Sequence, residues 1–514
     1  MDDSQPTQSH PKPYLVLALV AFGVFIAADD LTVVSTMLVQ MLKDLDISIQ
    51  TQLDEAAWIV NSYLIAYVVT MPFMGHVSDI FGRQRVFIAC LFIFAVGSVM
   101  VVLAPDLPWM IVARVVTAIG GGAMVPVAIA IVGDVFSQKQ RPFALGILGA
   151  VDTAGWIWGP LYGAMLVRYL DWRWQFYLNL PLSALAAVAA YFALRNWEPP
   201  VEQEATSRRV DWLGAALLTF ALLAVNIGLT QTGGGLGGAS PSFDFDQAQE
   251  TSGGLGKAWP FFLAGGIGFV LFVLAERRQA VQERVRVLID LSMFQRRNFS
   301  LACLVNFFTG FVLIIAMVDV PIFVNVVLSE SIEAAAVDSG RVLSALTVAM
   351  AITSVLGGWL CARLGYRLPT LLGLALIGVA FLLMGTAWQV DVGYGHMALH
   401  LALAGAGFGF VIAPTATAVV DAVTAEQRGV ASALVIVLRL MGMTIGLSAL
   451  TAWGLHRFDV LGKAELPPLA DPDYFDSLTR ITAQMLRETF LISGVVSLIT
   501  LLPAAVLRGR ERQA

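Results

Sequence analysis

Six ionisable side chains lie inside long apolar stretches of this sequence, where a charge costs roughly 2.5 to 3.5 kcal/mol on insertion scales. They are Asp29, Asp30, Arg114, Asp152, Asp319 and Arg439. A carboxylate in such surroundings needs a nearby cation or a proton, because no water is there to stabilise it. The chemistry open to these residues is therefore proton binding and ion pairing. The sequence offers no nucleophile with a matching base, so we expect no enzyme.

The stretches that carry these residues are long enough to cross a membrane as helices. Of the 514 residues, 58% are hydrophobic and only 13% are charged, and the mean hydropathy is +0.77. A soluble protein has about 25% charged residues, and a spanning helix needs about 20 apolar residues. Suitable segments lie at 14–41, 57–75, 86–104, 108–134, 142–167, 174–195, 211–230, 259–276, 298–326, 340–361, 368–388, 397–422, 429–454 and 488–507. The pattern predicts an all-α integral membrane protein with fourteen transmembrane helices.

The distribution of lysine and arginine predicts the orientation. With residues 1–13 and 508–514 in the cytoplasm, about 20 basic residues lie inside against about 9 outside. The most basic segment, 276–297, is interpreted as a linker that fixes this topology, and a lipid-headgroup site is the alternative. No basic block suggests nucleic acid. We also expect no metal, because the three cysteines are not at a metal-binding spacing. We expect no ATP or other cofactor, because the sequence has no phosphate-binding loop.

Depth along the helices suggests which charges meet. Counting about 1.5 Å per residue places Asp152 and Arg439 near the middle of the membrane. The outer third holds Asp30, Arg114 and Asp319. We predict that these five residues couple to protons, with Asp30 and Arg114 as the main pair, because a proton on the carboxylate would break the pair. A permanent structural salt bridge is the alternative.

Asp29 is adjacent to Asp30 and about 100° round the helix, so it cannot face the same partner. We expect it at a helix interface or in the wall of a substrate cavity. Trp156, Trp158 and Phe176 are predicted to supply apolar lining for that cavity.

A short polar turn, GHVSDIFGRQR at 75–85, separates two of the apolar segments. It combines glycines that allow a tight backbone path with an acid and two arginines, namely Gly75, Gly82, Asp79, Arg83 and Arg85. This spacing resembles the signature loop between helices 2 and 3 of the major facilitator superfamily. The resemblance implies two six-helix bundles, 14–195 and 298–507, with two inserted helices in the linker 196–297.

The same turn is predicted to form a latch on the cytoplasmic side. Asp79 lies where it can meet the N-terminus of helix 13 near Gly429, whose free amide groups favour an anion. Arg83 or Arg85 can reach Asp134 at the end of helix 4. Such contacts would close one state and break in the other. Charges that only set topology are the alternative.

A fainter copy of the turn, GWLCARLGYR at 358–367, keeps Gly358 and Gly365 but has Ala362 in place of the acid. A copy is expected if two halves arose by duplication. The second half is therefore predicted to lack the acid of the latch.

Two further stretches resemble motifs of the same superfamily. RVVTAIGGGA at 114–123 is similar to the helix 4 motif, in which an arginine precedes a glycine cluster. GILGAVDTAGWIWGPLYGA at 146–164 is similar to the helix 5 pattern of its antiporters, through Gly146, Gly155, Gly159, Pro160 and Gly163. The resemblance implies a bending point for antiport, whereas the residues alone indicate only close helix packing.

Other stretches narrow the resemblance. DLTVVSTML at 30–38 and WRWQFYLNLP at 172–181 resemble the fourteen-helix drug and proton antiporter branch. The segments 318–328 and 429–458 resemble mycobacterial exporters of triacylglycerides. This last resemblance implies a lipid substrate, a location in the bacterial cytoplasmic membrane and a periplasmic lipid-carrying lipoprotein as partner.

The resemblance to the lipid exporters extends to single residues. It matches Asp30 and Arg439 to their helix 1 acid and their late-helix arginine. At the place of their helix 5 acid stands Thr153, with Asp152 beside it. Asp152 is therefore expected to face about 100° away unless the helix is rotated.

We therefore predict a proton-coupled secondary transporter that exports hydrophobic or amphipathic molecules by alternating access, with a triacylglyceride-like lipid favoured. Its expected partners are the substrate, protons, membrane lipids and the lipoprotein. Multidrug and proton antiport is the main alternative, and a non-transporting membrane sensor or scaffold is a remote one. The segment 455–487 is predicted either to carry helices 13 and 14 beyond the outer face or to form an ordinary ordered loop.

Overall fold

The computed structural model describes residues 12–45, 58–195, 210–231, 254–282, 287–328, 332–467 and 471–508. These residues form helices and turns, with no strand among them. The long helices are α1 (Pro13–Asp44), α2 (Trp58–Phe81), α3 (Arg83–Val102), α4 (Leu107–Val135), α5 (Arg141–Tyr169), α6 (Arg173–Leu194), α7 (Trp212–Gln231), α8 (Gly254–Gln282), α9 (Arg297–Phe323), α10 (Ile332–Leu364), α11 (Arg367–Ala387), α12 (Tyr394–Asp421), α13 (Arg428–Glu465) and α14 (Tyr474–Ala505). The predicted all-α fold is confirmed.

By length and composition, 13 of the helices in the described part of the chain could cross a membrane. The helix outside this set is α5, which has 29 residues but is rich in glycine and carries Asp152 near its middle. The protein is therefore a multi-pass membrane protein, and the number of fourteen spans stays a prediction.

The helices group in the order of the chain. Helices α1 to α6 pack with one another, and so do α9 to α14. Helices α7 and α8 pack mainly against each other, with α7 beside α2, where the Phe73 and Trp212 ring centroids lie 5.4 Å apart. The two groups meet chiefly through α5 with α10 and through α2 with α13. They also meet through α4 with α13 and α5 with α12, so a site between the two groups lies among these helices.

The predicted internal repeat is visible in the backbone. Gly82 precedes α3 with φ of 95°, and Gly365 precedes α11 with φ of 78°. These are left-handed conformations that only glycine adopts without strain. Both halves therefore make the same sharp turn, although Asp79 of the first copy is replaced by Ala362 in the second.

Helices α13 and α14 continue through most of the segment 455–487. Helix α13 has 38 residues and α14 has 32. At about 1.5 Å per residue, each is longer than a hydrocarbon core of about 30 Å is thick. Arg457 of α13 joins them by donating from Nε and Nη2 to the two carboxylate oxygens of Glu488, at 2.8 and 2.9 Å. The segment is thus helical, and its projection beyond the outer face stays a prediction.

Candidate functional site

The first candidate site is an ion pair buried inside the first bundle. Nη1 of Arg114 on α4 lies 2.8 Å from Oδ2 of Asp30 on α1, and Nη2 lies 3.4 Å from the Asp30 backbone oxygen. The two side chains are only 1% and 0% exposed. The predicted contact is therefore present, and water is excluded from it in this conformation.

Neutral and aromatic groups surround this ion pair. The Asn179 amide on α6 donates to the second carboxylate oxygen of Asp30 at 3.4 Å. The Arg114 guanidinium carbon lies 4.0 Å from the centroid of the Tyr63 ring and 5.9 Å from that of Phe176. A cation over an aromatic face keeps part of its stabilisation without a carboxylate. Arg114 therefore has a second resting place if Asp30 becomes neutral.

A second candidate site joins the two bundles. Nη2 of Arg439 on α13 lies 3.6 Å from Oδ2 of Asp152 on α5. The two side chains are 11% and 15% exposed, so they are less enclosed than Asp30 and Arg114. They line a cavity whose other walls are mostly aliphatic, including Ile129, Leu148, Ile412 and Val435. The amide side chain of Asn306 is a polar exception. The cavity thus offers an apolar surface with one ion pair.

The rotation of α5 decides which side chain reaches this cavity. Thr153 turns its hydroxyl back to its own helix, where it donates to the Gly149 backbone oxygen at 2.8 Å. Asp152 instead faces Arg439. The acid next to the position matched by sequence resemblance is therefore the one that meets the arginine.

The glycines of α5 serve two neighbouring helices. A Cβ atom on Gly146 would lie 2.6 Å from the Ser354 backbone oxygen of α10. On the opposite side, Gly155, Gly159 and Gly163 face α1, and a Cβ on Gly155 would lie 2.6 Å from Cβ of Ala28. Pro160 lies within the same helix. The motif thus gives close helix packing, as the residues alone indicated, and bending at this point stays a prediction.

The four residues predicted to line a substrate cavity, Asp29, Trp156, Trp158 and Phe176, do not line this one. Phe176 lies beside Arg114 instead. Asp29 turns toward α6, where the Gln175 amide donates to its Oδ2 at 2.7 Å. Trp156 packs against the hydrophobic core, and Trp158 is 51% exposed. Both tryptophans lie about one to two helical turns beyond Asp152 along α5, and their place in a substrate cavity stays a prediction.

Asp319 stands apart from both ion pairs. It lies in α9, is 9% exposed and lies near Thr489 of α14, whose hydroxyl donates to the Met485 backbone oxygen at 2.9 Å. Within the described ranges, no lysine or arginine lies within 4.0 Å of its carboxylate. Its predicted part in proton coupling has no ion-pair partner in this conformation and stays a prediction.

A charge network joins the two bundles at the face that carries the 75–85 turn, which we call the turn face. Arg83 donates from Nε to Asp134 Oδ2 at 2.7 Å. Arg428 of α13 donates to the other oxygen of Asp134 at 2.6 Å. The first network is formed by Asp79, Arg83, Asp134 and Arg428. Its acids come from the first bundle and one of its arginines from the second, so it ties the two bundles together.

Asp79 adds a contact to the helix backbone of the second bundle. Its two oxygens accept hydrogen bonds from the backbone N–H groups of Gly429 and Val430 at 2.9 and 3.1 Å, at the N-terminus of α13. The helices approach so closely that a Cβ on Gly75 would lie 2.6 Å from the Gly429 backbone oxygen. Arg85, by contrast, is exposed and no described residue pairs with it. Arg83 therefore makes the contact with Asp134 that was predicted for Arg83 or Arg85, and a part for Arg85 in the latch stays a prediction.

A second network at the turn face was not predicted. Arg141 at the start of α5 forms an ion pair with Asp421 at the end of α12. The Tyr366 hydroxyl, beside the second copy of the turn, donates to the other Asp421 oxygen at 2.8 Å. These three residues form the second network, which also joins the two bundles. The sequence signal was the position of Asp421 at the end of its helix, which repeats that of Asp134.

Tyr366→Phe is expected to loosen the turn face. The substitution removes one hydrogen bond to the carboxylate that pairs with Arg141 of the other bundle, and such a bond contributes about 1.5 to 3 kcal/mol. Because Tyr366 and Asp421 lie in the same bundle, only part of this energy is expected to change the ratio of closed to open forms, by less than about ten-fold. In Tyr366→Phe, spin labels at the exposed positions 85 and 367, one on each bundle, are expected to show a larger population of molecules with a long distance between the labels. Tyr394→Phe is the matched control, because Tyr394 is exposed. An unchanged distance distribution in Tyr366→Phe would show that the hydroxyl does not hold the face closed.

Comparison with known proteins agrees with this architecture. A family model described as Major Facilitator Superfamily matches residues 20–447 and 302–514. The chain belongs to the major facilitator superfamily. It is therefore a membrane transporter and not an enzyme. Two solved structures of this superfamily's fold are similar to it: a human organic anion transporter, MFSD10, at a TM-score of 0.58 and 15% identity, covering 95% of this chain and 100% of that one, and the proton:xylose symporter XylE, at 0.59 and 13%, covering 95% and 94%.

Relatives of known name are more similar in sequence. A triacylglyceride transporter of Mycolicibacterium smegmatis is 32% identical over 524 residues, covering 97% of this chain and 88% of that protein. A triacylglyceride transporter of Mycobacterium tuberculosis is 32% identical over 519 residues, covering 96% and 94%. The similarity therefore extends over the whole of both bundles and the inserted helices.

Proposed function

We propose that this transporter exports hydrophobic or amphipathic molecules by proton-coupled alternating access, and that a triacylglyceride-like lipid is its substrate. The observation that carries the proposal is the cavity between the bundles, which has aliphatic walls and a single ion pair, Asp152 with Arg439. In this conformation the cavity has a volume of only about 40 Å³, so its apolar walls and not its size support the proposal: they would face a molecule with a large apolar part and few polar groups once the bundles part. The triacylglyceride transporters with 32% identity support the lipid class.

Multidrug export is the second candidate. Asp152 gives the cavity a carboxylate that could bind a cationic amphipath once Arg439 withdraws. The 3.6 Å separation and the partial exposure of this pair make it easier to part than Asp30 and Arg114. A lipid ester would gain nothing from that carboxylate, so the two substrate classes are separable by experiment.

The proposed coupling step is protonation of Asp30. In the observed conformation its charge is neutralised by Arg114. A proton on Asp30 would remove that attraction and leave Arg114 over the Tyr63 ring, free to adopt another rotamer. Because the pair links α1 to α4, its loss would let these helices shift within the first bundle. Arg439 with Asp152 and the buried Asp319 are proposed to respond during the same cycle.

The proposed location is the bacterial cytoplasmic membrane, with both termini and the turn face in the cytoplasm. The surplus of basic residues on that side supports this orientation. With both networks formed, the cytoplasmic side is closed, and the conformation is the one that would release substrate outward. The extended ends of α13 and α14 would then offer a surface to a lipid-carrying lipoprotein outside.

Reconstitution into proteoliposomes with an imposed pH gradient tests the proposal. A fluorescent triacylglyceride is expected to move in a gradient-dependent way with the wild type and to lose at least ten-fold in rate with Asp30→Asn. A fluorescent cationic dye serves as the competing substrate. Asp459→Asn is the matched control, because Asp459 forms only an exposed ion pair with Lys463.

Each outcome of this experiment has one meaning. Movement of the lipid alone, lost in Asp30→Asn and kept in Asp459→Asn, supports proton-driven lipid export. Movement of the dye alone makes this a multidrug exporter. If neither moves, or if the lipid moves without regard to the gradient, proton-coupled lipid export is wrong.

A further inference from the structure

Asp29 is a buried acid that the proposed coupling step does not use. It lies on α1 next to Asp30 and is 6% exposed. Its only hydrogen-bond donor among the described residues is the Gln175 amide, which reaches Oδ2 at 2.7 Å. No arginine, lysine or histidine of the described ranges lies within 4.0 Å of it. A carboxylate this far from water with a neutral partner alone is strongly disfavoured.

Two buried oxygens at this contact are left without a partner. One is Oδ1 of Asp29 and the other is Oε1 of Gln175. Both are acceptors, and an ionised Asp29 can supply no donor for either. A carboxylic acid and a primary amide, however, complement each other: the amide N–H donates to one acid oxygen, and the acid O–H donates to the amide oxygen. The first of these hydrogen bonds is present, and the two orphaned atoms are the acid oxygen and the amide oxygen that a second hydrogen bond of this kind would join.

We propose that Asp29 is a second proton-binding site on α1, which holds its proton against Gln175 and is separate from the pair of Asp30 with Arg114. The proton comes from water and adds to Oδ1. It turns an uncompensated buried charge into a neutral acid and satisfies both orphaned oxygens with one hydrogen bond. The substrate of this site is a proton alone.

The neighbouring charges favour the same state. Asp30, the next residue, is an anion and would repel a second negative charge beside it. Arg114 cannot compensate for that second charge, because it is already paired with Asp30. The Tyr162 hydroxyl of α5 is the remaining titratable group close to Asp29, and it carries no positive charge in any state. Helices α4, α5 and α6 therefore offer Asp29 no free cation in the described residues.

The site is enclosed by the glycines of α5. A Cβ on Gly159 would lie 2.8 Å from the Asp29 backbone oxygen, and one on Gly155 would lie 3.1 Å from its backbone nitrogen. Helix α5 therefore packs directly on the backbone of Asp29, and a movement of α1 against α5 would change the access of water to this acid. Resting on the proposed function, this means that the same helix movement that alternates access also exchanges the proton, so that export moves one more proton than Asp30 accounts for.

Infrared spectroscopy of the full-length reconstituted protein tests the proton directly, without a transport assay. A protonated carboxyl has a C=O stretching band that a carboxylate lacks. Wild-type protein at neutral pH is expected to show such a band, and Asp29→Asn is expected to lose it because asparagine has no carboxyl group. The variant should keep the local structure, since asparagine can form the same pair of hydrogen bonds with Gln175. Gln175→Leu is expected to shift the band to higher frequency, because the acid loses its hydrogen-bond partner.

Asp44→Asn is the matched control on the same helix. Hydrogen bonding to the Trp172 indole and to the Arg173 guanidinium lowers the pKa of the Asp44 carboxyl, so this acid is ionised. Its replacement must leave the band unchanged. If Asp29→Asn and wild type show the same band, or if Gln175→Leu leaves it in place, the proposal is overturned.

Transport assays on the same samples separate this inference from the proposed function. Asp29→Asn is expected to lower by one the number of protons moved per substrate, whereas Asp30→Asn stops coupled export. A band lost in Asp29→Asn, with neither lipid nor dye transported, supports the proton site and contradicts the proposed function. Coupled lipid export with no difference in the band between wild type and Asp29→Asn supports the proposed function and contradicts the proton site at Asp29.

Discussion

Arg114→Ala is expected to destabilise the transporter by about 3 to 5 kcal/mol and to abolish substrate export. The size follows from burial: Asp30 is 0% exposed, and removing its partner leaves an uncompensated charge where no water can replace the guanidinium. Asn179 cannot compensate, because its amide is neutral and its contact is long, at 3.4 Å. The free energy of unfolding in detergent micelles and export in proteoliposomes would measure the two effects.

A double variant separates the two roles of the pair. Arg114→Gln with Asp30→Asn removes both charges, so most of the stability should return while coupled export stays absent. Arg173→Ala is the matched control, because its pair with Asp44 is 28% and 34% exposed and is expected to contribute less than about 1 kcal/mol. If the Arg114→Ala variant proves as stable as the Arg173→Ala variant, Asp30 must be neutral before the substitution. That result would contradict an ion pair of Asp30 with Arg114.

The sequence identified the polar residues of the interior because apolar surroundings make each charge conspicuous. Helix lengths and the count of residues from their ends were sufficient to predict contact between Asp30 and Arg114. They also placed Asp79 at the start of α13, since a tight turn next to a helix N-terminus leaves an acid few other positions. Depth and sign of charge, both readable from a single chain, carried these predictions.

Rotation about a helix axis was harder to predict than depth. A difference of one residue turns a side chain by about 100°, so the sequence could not decide between Asp152 and Thr153 as the group that faces Arg439. The sequence could not place Trp156 and Trp158 relative to the cavity for a related reason, since the shape of a cavity between two bundles depends on how the bundles tilt. Such contacts between bundles are fixed by packing and leave no local pattern.

The second network shows another limit of pattern matching. The second copy of the turn has Ala362 where the first has its acid, so that copy was predicted to lack the acid of the latch. The structure supplies the acid from Asp421 at the end of α12 and a hydroxyl from Tyr366 instead. The same mechanical task is thus performed by different residues, because the duplicated backbone brings the ends of equivalent helices together whatever side chains they carry.

Asp79→Asn is expected to reduce export by at least ten-fold while leaving expression unchanged. Asp79 is buried, pairs with Arg83 and accepts hydrogen bonds from two backbone N–H groups at the start of α13. Asparagine has only one acceptor oxygen and no charge, so at least one hydrogen bond to a charged group is lost, worth about 1.5 to 3 kcal/mol. Because the contacts with the start of α13 cross between the bundles and are expected to break when the turn face opens, their loss should shift the population toward the open form by roughly 10- to 150-fold.

The matched control is an acid that caps a helix without joining the bundles. Asp106 accepts from the Trp109 backbone N–H at 2.9 Å at the start of α4 and is exposed. Asp106→Asn also removes a capping carboxylate, yet it should leave both export and the distance between labels at positions 85 and 367 unchanged. If Asp79→Asn behaves in the same way, the turn sets only topology. If instead the labels separate and export falls, the closing of this face depends on an acid of one bundle at the helix N-terminus of the other.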